Sequence, residues 1–514
     1  MTGAESLLGT LLASGVDVCF ANPGTSEMHF VAALDTVEGM RPVLALAETV
    51  VTGAADGYGR MTGRPAATLL HLGPGLANGL ANLHNARKAA TPIVNIVGNH
   101  ASRHLRYDAP LTADVEGFAR PVSGWIRQSP DARSVAADAA RAVRAAREAP
   151  GQIATLILPA DAAWDEAEGI APPLPAAMPE PVAADAVERI ARLLHGGAKA
   201  AILMRGEALR GPALAAAGRI AARTGARLLC DTFAPRMERG AGRVVVERLP
   251  YFAEQALDFL GATELLVLVG AAPPVSFFAY PGKPSWLTPE GCRIATLAHP
   301  HEDGPQALEA LADALDARAG APVAAFAVPD IDRSAALNPE TIMRVVARAL
   351  PEGAILADES ISSGLACFPL TVTAAPHDFL NLTGGAIGSM LSVATGAAVA
   401  CPDRKVVLLQ GDGSAMYNLQ ALWTQARENL DVLTVIYSNR AYRILEVELG
   451  RVGAVQQGSK ALSLFDLSNP ALDWTALAQG MGVEAVRAET VPAFEAAVAA
   501  AMARRGPMLI EAVI

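Results

Sequence analysis

The sequence predicts an α/β protein of three doubly wound parallel sheets, and three observations carry that prediction. At 514 residues the chain exceeds what one hydrophobic core usually supports, which favours about three domains. Short apolar runs alternate with longer helical patterns along the whole length, the signature of strands buried on both faces and joined by helices. Proline-rich breaks at 171–182 and near 322–339 divide this pattern into units.

The opening stretch MTGAESLLGTLLASG lacks the basic start and cleavage pattern of a secretion signal and reads as an amphipathic helix ending at Gly15. VDVCFA (16–21), VLALA (43–47), ATLLH (67–71) and IVNIVG (93–98) then read as strands, and the unit closes near IATLILPAD (153–161). APPLPAAMPEPV reads as a linker. The middle unit repeats the alternation with AAILM (200–204), ARLLC (226–230), ELLVLVG (264–270) and RIATLA (293–298). The last carries AILAD (354–358), KVVLLQG (405–411), VLTVIYSN (432–439) and MLIEAVI (508–514). Domains are expected at 1–168, 183–322 and 338–514.

Composition narrows the function classes. With 52% hydrophobic and 18% charged residues the chain is not of the disordered type. A net charge of -11 argues against a nucleic-acid partner, which needs a basic face. The apolar stretch 265–279 is broken by proline and falls short of the roughly 20 residues a membrane helix requires, so no membrane span is expected. Five scattered cysteines without a CxxC pair suggest neither a disulfide framework nor zinc, and fit a reducing cytoplasm.

The most informative segment is VVLLQGDGSAMYNLQALWTQARENLDVLTVIYSNRAY (406–442), read as strand, tight glycine turn, helix, strand. In a βαβ unit both strands run parallel, so Asp412 and Asn439 emerge together at the carboxyl edge of the sheet. A carboxylate, an amide oxygen and a backbone carbonyl just after Asn439 make a hard oxygen set suited to Mg²⁺, which completes its shell with phosphate oxygens and water. Gly411 and Gly413 would let the backbone approach that phosphate, and Ser414 would sit at a helix N-terminus favouring an anion. A glycine-flanked aspartate alone serves as readily to make a turn or cap a helix.

Glu48 directly follows an apolar strand and precedes an apolar helix. Such a place gives a carboxyl group low-dielectric surroundings that raise its pKa and suit it to share a proton, although the helix dipole alone also favours glutamate there.

GDGSAMYNLQAL…YSNRAY resembles the thiamine-diphosphate fingerprint, with Ser438 in place of the first of two usual asparagines. CFANPGTSEMHF, AETVVTGAADGYGR and HLGPGLANGLANLHNA resemble, in order, the amino-terminal domain of the benzoylformate decarboxylase and acetolactate synthase family. The resemblance implies a pyrimidine-binding, a central and a diphosphate-binding domain, with thiamine diphosphate and Mg²⁺ as cofactors. Asp412, Asn439 and the Ala441 carbonyl would hold the metal, Ser414 and Tyr417 would lie near the diphosphate, and Ile387 in LTGGAIGSMLSVATGAA would support the bent cofactor. Glu48 would face the aminopyrimidine. Because the two ends of the cofactor belong to different subunits in this family, a homodimer or homotetramer follows.

The implied reaction is decarboxylation of a 2-oxo acid through a C2 carbanion and an enamine, which is either protonated or joined to a carbonyl acceptor. His71 matches a proton-transferring histidine of benzoylformate decarboxylase and Thr25 its substrate-contacting serine. Phe278 stands where that enzyme has its second histidine, which favours carboligation over aldehyde release. Ile444, Leu445 and Glu448 would face the substrate. The arginine-rich stretch and FAD contacts of acetolactate synthases are not visible, so FAD is not expected. Three alternatives stand beside this reading: a true acetolactate synthase, a 2-hydroxyacyl-CoA lyase, for which GEALRGP (206–212) is a weak nucleotide motif, and a non-catalytic assembly partner.

Overall fold

The computed structural model describes residues 1–318, 320–453 and 458–514. Three sheets organise the chain. The first contains β1 (Val18–Asn22), β2 (Arg41–Leu44), β3 (Ala66–Leu70), β4 (Ile93–Asn99), β5 (Trp125–Gln128) and β6 (Ile153–Pro159), in the order β2-β1-β3-β4-β6-β5. All its pairings are parallel, and β3, β4 and β6 are buried from end to end, as apolar runs covered on both faces should be.

The central region supplies β7 (Ala200–Met204), β8 (Arg227–Cys230), β9 (Arg236–Arg239), β10 (Glu247–Arg248), β11 (Leu265–Val269) and β12 (Arg293–Ala298). Five of these form the second sheet in the order β10-β8-β7-β11-β12. The sixth, β9, departs from the expected all-parallel arrangement: it crosses to the third sheet and pairs antiparallel with β14 (His377–Asn381). An ion pair holds it there, with Arg236 Nε 2.6 Å from Asp378 Oδ1. The third sheet otherwise runs parallel through β13 (Ala354–Glu359), β15 (Val406–Gly411), β16 (Val432–Ser438), β17 (Glu484–Ala488) and β18 (Met508–Val513), ordered β17-β18-β16-β15-β13-β14-β9.

The first and third sheets are locked together through two helices, Glu48–Thr62 and Ser389–Ala400. Their backbones approach so closely that a Cβ on Gly57 would lie 2.0 Å from Val393 O, and one on Gly396 1.8 Å from Ala54 O. One buried cluster consequently runs through Val51, Tyr58, Leu391 and Val393. Arg60 reinforces the contact, donating to Asn381 O at 2.7 Å while Asp56 accepts from its Nε at 2.8 Å. No helix among the described residues is long and apolar enough to cross a membrane.

Candidate active site

Two clusters of polar side chains stand at carboxyl edges of the first and third sheets. In the first, β2 stops at Leu44 rather than running to Ala47, and the chain turns directly into the helix that begins with Glu48. Glu48 is half-buried, and Asn78 Nδ2 donates to its Oε2 at 3.1 Å. Gly75 leaves room beside it, since a Cβ there would lie 3.4 Å from Glu48 Oε1.

His71 follows β3 directly and precedes the helix Leu72–Ala89, whose first residue, Leu72, has a strained left-handed φ of 47°. Its Nδ1 lies 2.8 Å from Glu27 Oε2 and 3.1 Å from Ser26 Oγ. Glu27 is buried and also accepts from the Gly24 amide at 2.8 Å. With Nδ1 engaged by that carboxylate, Nε2 is the ring nitrogen left to exchange protons with a bound molecule. Two glycines make the cradle: a Cβ at Gly24 would lie 2.3 Å from the His71 ring, and one at Gly98 1.7 Å from Glu27 Oε1. Thr25 is exposed, and its neighbour Ser26 is the residue that reaches His71. Neither Ser26 nor Glu27 was singled out from the sequence, although both lie in the same NPGTSE run.

In the second cluster, β15 and β16 pair with Gly411 opposite Tyr437, so Asp412 and Asn439 leave neighbouring strands side by side. Asp412 is buried, and its Oδ1 and Oδ2 accept from the Gly413 and Arg440 amides at 2.7 and 2.6 Å. Burial pushes its pKa up against those bonds. Asn439 Oδ1 accepts from the Ala441 amide at 3.0 Å, across a left-handed turn at Arg440. The loop is pinned by Tyr442 N–H to Phe465 O and Leu467 N–H to Arg440 O, both 2.8 Å, neither of which engages the Ala441 carbonyl.

A buried carboxylate held only by amides is an incomplete electrostatic arrangement that a hard cation would complete. Among the described residues no three His, Cys, Asp or Glu side chains cluster to bind a metal, so an ion here would depend on amide and carbonyl oxygens as well. The donor set fits Mg²⁺.

The expected helix N-terminus at the glycine turn is short. The helix after the glycine turn is a single turn, Asp412–Ala415, so little dipole accompanies Ser414. Ser414 Oγ instead donates to Gly411 O at 3.1 Å and accepts from Gln410 Nε2 at 2.6 Å. The space beside Gly413 is taken by the Tyr442 ring, 2.4 Å from where a Cβ would be. Gly411 has an ordinary extended backbone, and Ser438 donates to buried Glu511 at 3.1 Å.

Ile387 is half-buried against the shared core, and Gly388 after it takes a left-handed φ of 86°. Tyr417, 56% exposed, packs on Gly388, and Asn418 Nδ2 donates to Gly388 O at 2.8 Å. Glu359 anchors the segment by accepting from the Gly388 and Met390 amides. Burial nonetheless pushes the Glu359 carboxyl up to about 7. Nothing in the local sequence marked Glu359, because its partners lie far along the chain.

Phe278 is 51% exposed, and its neighbour Phe277 is the ring that reaches Gly385. Ile444 is half-buried and Leu445 exposed on the helix Arg443–Arg451. Glu448 accepts from Tyr280 OH at 2.5 Å and lies 3.9 Å from Arg451, so it ties that helix to the Phe278 loop. A separate cavity of about 850 Å³ opens between the first and second sheets, against Lys88, Arg205, Asp231, Tyr251 and Phe277. Residues of GEALRGP line it, whereas Glu48 and Asp412 do not.

Profiles for the thiamine pyrophosphate enzyme N-terminal and C-terminal TPP binding domains match residues 1–119 and 364–512. The chain is 54% identical to a Mycobacterium tuberculosis protein named "Putative acetolactate synthase large subunit IlvX", over 100% of this chain and 99% of that one. It is 28% identical to benzoylformate decarboxylase of Pseudomonas aeruginosa, over 97% and 96% of the two chains. Its fold superposes with a TM-score of 0.85 on the thiamine diphosphate-dependent 4-hydroxybenzoylformate decarboxylase of Rhodococcus jostii, at 24% identity and covering 99% and 98% of the two chains. Sheets, glycine turn and matched profiles converge on one conclusion: the chain belongs to the family of thiamine-diphosphate-dependent enzymes.

Proposed function

We propose that the chain is a Mg²⁺-dependent 2-oxo acid decarboxylase/carboligase that works in the cytoplasm as a homodimer or homotetramer. The observation that carries the reading is the buried Asp412 carboxylate, bonded only to amides and side by side with Asn439. Asp412, Asn439 and the Ala441 carbonyl would hold Mg²⁺, and Gly411, Gly413, Ser414 and Tyr417 would lie near the diphosphate. Ile387, steadied through Gly388 by Glu359, supports the cofactor. When bound, thiamine diphosphate supplies the nucleophilic carbon and the electron sink that let the bond to a carboxylate break.

The chain's own groups do the rest. Glu48, oriented by Asn78, would share a proton with the aminopyrimidine. Glu27 fixes His71 so that its Nε2 moves a proton at the reacting carbon, and Thr25 offers a hydroxyl to the substrate carboxylate. Phe278, Ile444 and Leu445 shape the pocket, and Glu448 steadies that wall. The reading needs no FAD, nucleic acid or membrane.

A second reading, acetolactate synthesis, is favoured by the 54% identity to the relative named for that activity and by Phe278 where a decarboxylase carries histidine. Both readings release CO₂, but only carboligation requires a carbonyl acceptor. CO₂ release from a panel of 2-oxo acids, with the organic product identified in the presence of an aldehyde or a second 2-oxo acid, distinguishes them: a free aldehyde or an aldehyde-derived ligation product supports the first, a 2-acetyl-2-hydroxy acid the second, and no release from any would end both. Asp412→Ala is expected to lose Mg²⁺-dependent cofactor retention on gel filtration. Glu48→Gln is expected to keep the cofactor and lose exchange of its C2 proton, followed by NMR.

A further inference from the structure

Releasing an aldehyde from a 2-oxo acid, or joining it to an acceptor, takes up one proton per turnover. His71 can deliver one only if it is refilled. His100 stands just past the carboxyl end of β4. The β3–β4 pairing sets Leu70 opposite Val97, so His71 and His100 leave neighbouring strands. Glu27, which holds His71, packs directly on Gly98, two residues before His100.

His100 Nε2 is buried without a hydrogen-bond partner among the described residues. Its ring centroid lies 5.4 Å from that of His104, which in turn lies 5.7 Å from Tyr107. His104 and Tyr107 are exposed.

We propose that His104 and His100 form a proton relay that refills His71 from solvent. The idea rests on the functional reading above. As the bond to the carboxylate breaks, CO₂ leaves and its bonding electron pair stays on the former carbonyl carbon. In aldehyde release that pair ends in a new C–H bond, using the proton on His71 Nε2. In carboligation it ends in a new C–C bond, and the proton goes to the acceptor oxygen. His71 then takes a proton from His100, His100 from His104, and His104 from water.

Burial, then the charges of His104 and His71, pull the His100 pKa down from its ordinary value. The other charged groups around this loop are Glu27 against Gly98, Arg103 over Trp164, Arg106 on Tyr107, Asp108 directly after Tyr107, and Asp161, which accepts from the Ser102 amide at 2.9 Å.

Two measurements test the relay. In histidine-labelled protein without substrate, NMR titration should show His100 titrating below its ordinary pH and shifting upward in His71→Gln and in His104→Gln; an unchanged midpoint in both overturns the proposal. With benzoylformate as probe, holoenzyme carrying His100→Gln should lose about 10²-fold in kcat with little change in KM, and added imidazole should restore it. The exposed His104→Gln should make turnover depend on buffer concentration. Unchanged kcat in both variants, a loss that imidazole does not restore, or a wild type that exchanges the cofactor C2 proton without releasing benzaldehyde each overturns the relay. Loss of C2 exchange in the wild type would instead overturn the functional reading beneath it.

Discussion

Asp412 and Glu359 are both buried carboxylates at the edge of the third sheet, and both accept backbone amides. Under the proposed reading Asp412 holds a cation, whereas Glu359 is structural, and its titration is therefore a property of folding. Burial raises its pKa from 4.5 to about 7, so the folded chain binds this proton more tightly than the unfolded chain does. The resulting stability is fully present below 4.5 and is lost as pH rises to about 7, by an amount on the order of 3 kcal/mol. Glu359→Gln cannot titrate, so its denaturation free energy is expected to vary less than that of the wild type across this window. Parallel pH profiles by urea unfolding would refute the assignment.

Among the elements, the crossing of helices Glu48–Thr62 and Ser389–Ala400 is the least tolerant contact. Gly396→Ala would place a Cβ 1.8 Å from the Ala54 carbonyl, which is backbone and cannot swing aside. It is expected to cost about 1–3 kcal/mol by overpacking, read as a lowered Tm. Gly480→Ala is the matching control: this glycine is exposed at the end of the helix Trp474–Gly480, with nothing within 4 Å of its Cβ, and its substitution is expected to leave Tm level or slightly raised. A comparable loss from both substitutions would show that the crossing is not the cause. This crossing was not legible in the sequence, since it joins segments hundreds of positions apart. The strands that were legible, such as β7 and β15, are continuous apolar runs. Those not read beforehand include β5 (WIRQ), β9 (RMER) and β17 (EAVRA), which carry charges and lie at sheet edges, and β14 (HDFLN), an inner strand whose apolar run is cut short by His377 and Asp378. In the candidate site, Asp412, Asn439, Glu48 and His71 were legible from local motifs, whereas Glu27, Asn78 and Glu359 act through contacts that only the fold creates.

At the scale of the whole molecule, both clusters leave apolar side chains in solvent. Leu46, two residues before Glu48, is 45% exposed, and Met416 and Tyr417, just after Asp412, are 37% and 56% exposed. The proposed homodimer would cover such surfaces and bring Glu48 of one copy to Asp412 of the other. That arrangement makes a prediction no single-chain site shares. Glu48→Gln and Asp412→Ala homodimers should each be inactive, yet a hybrid carries both substitutions in one site and neither in its second. Co-expressing the two variants with equal yield should therefore restore roughly one quarter of wild-type CO₂ release, from random pairing. If each site were built from one chain alone, every site would keep one lesion and the mixture would stay inactive.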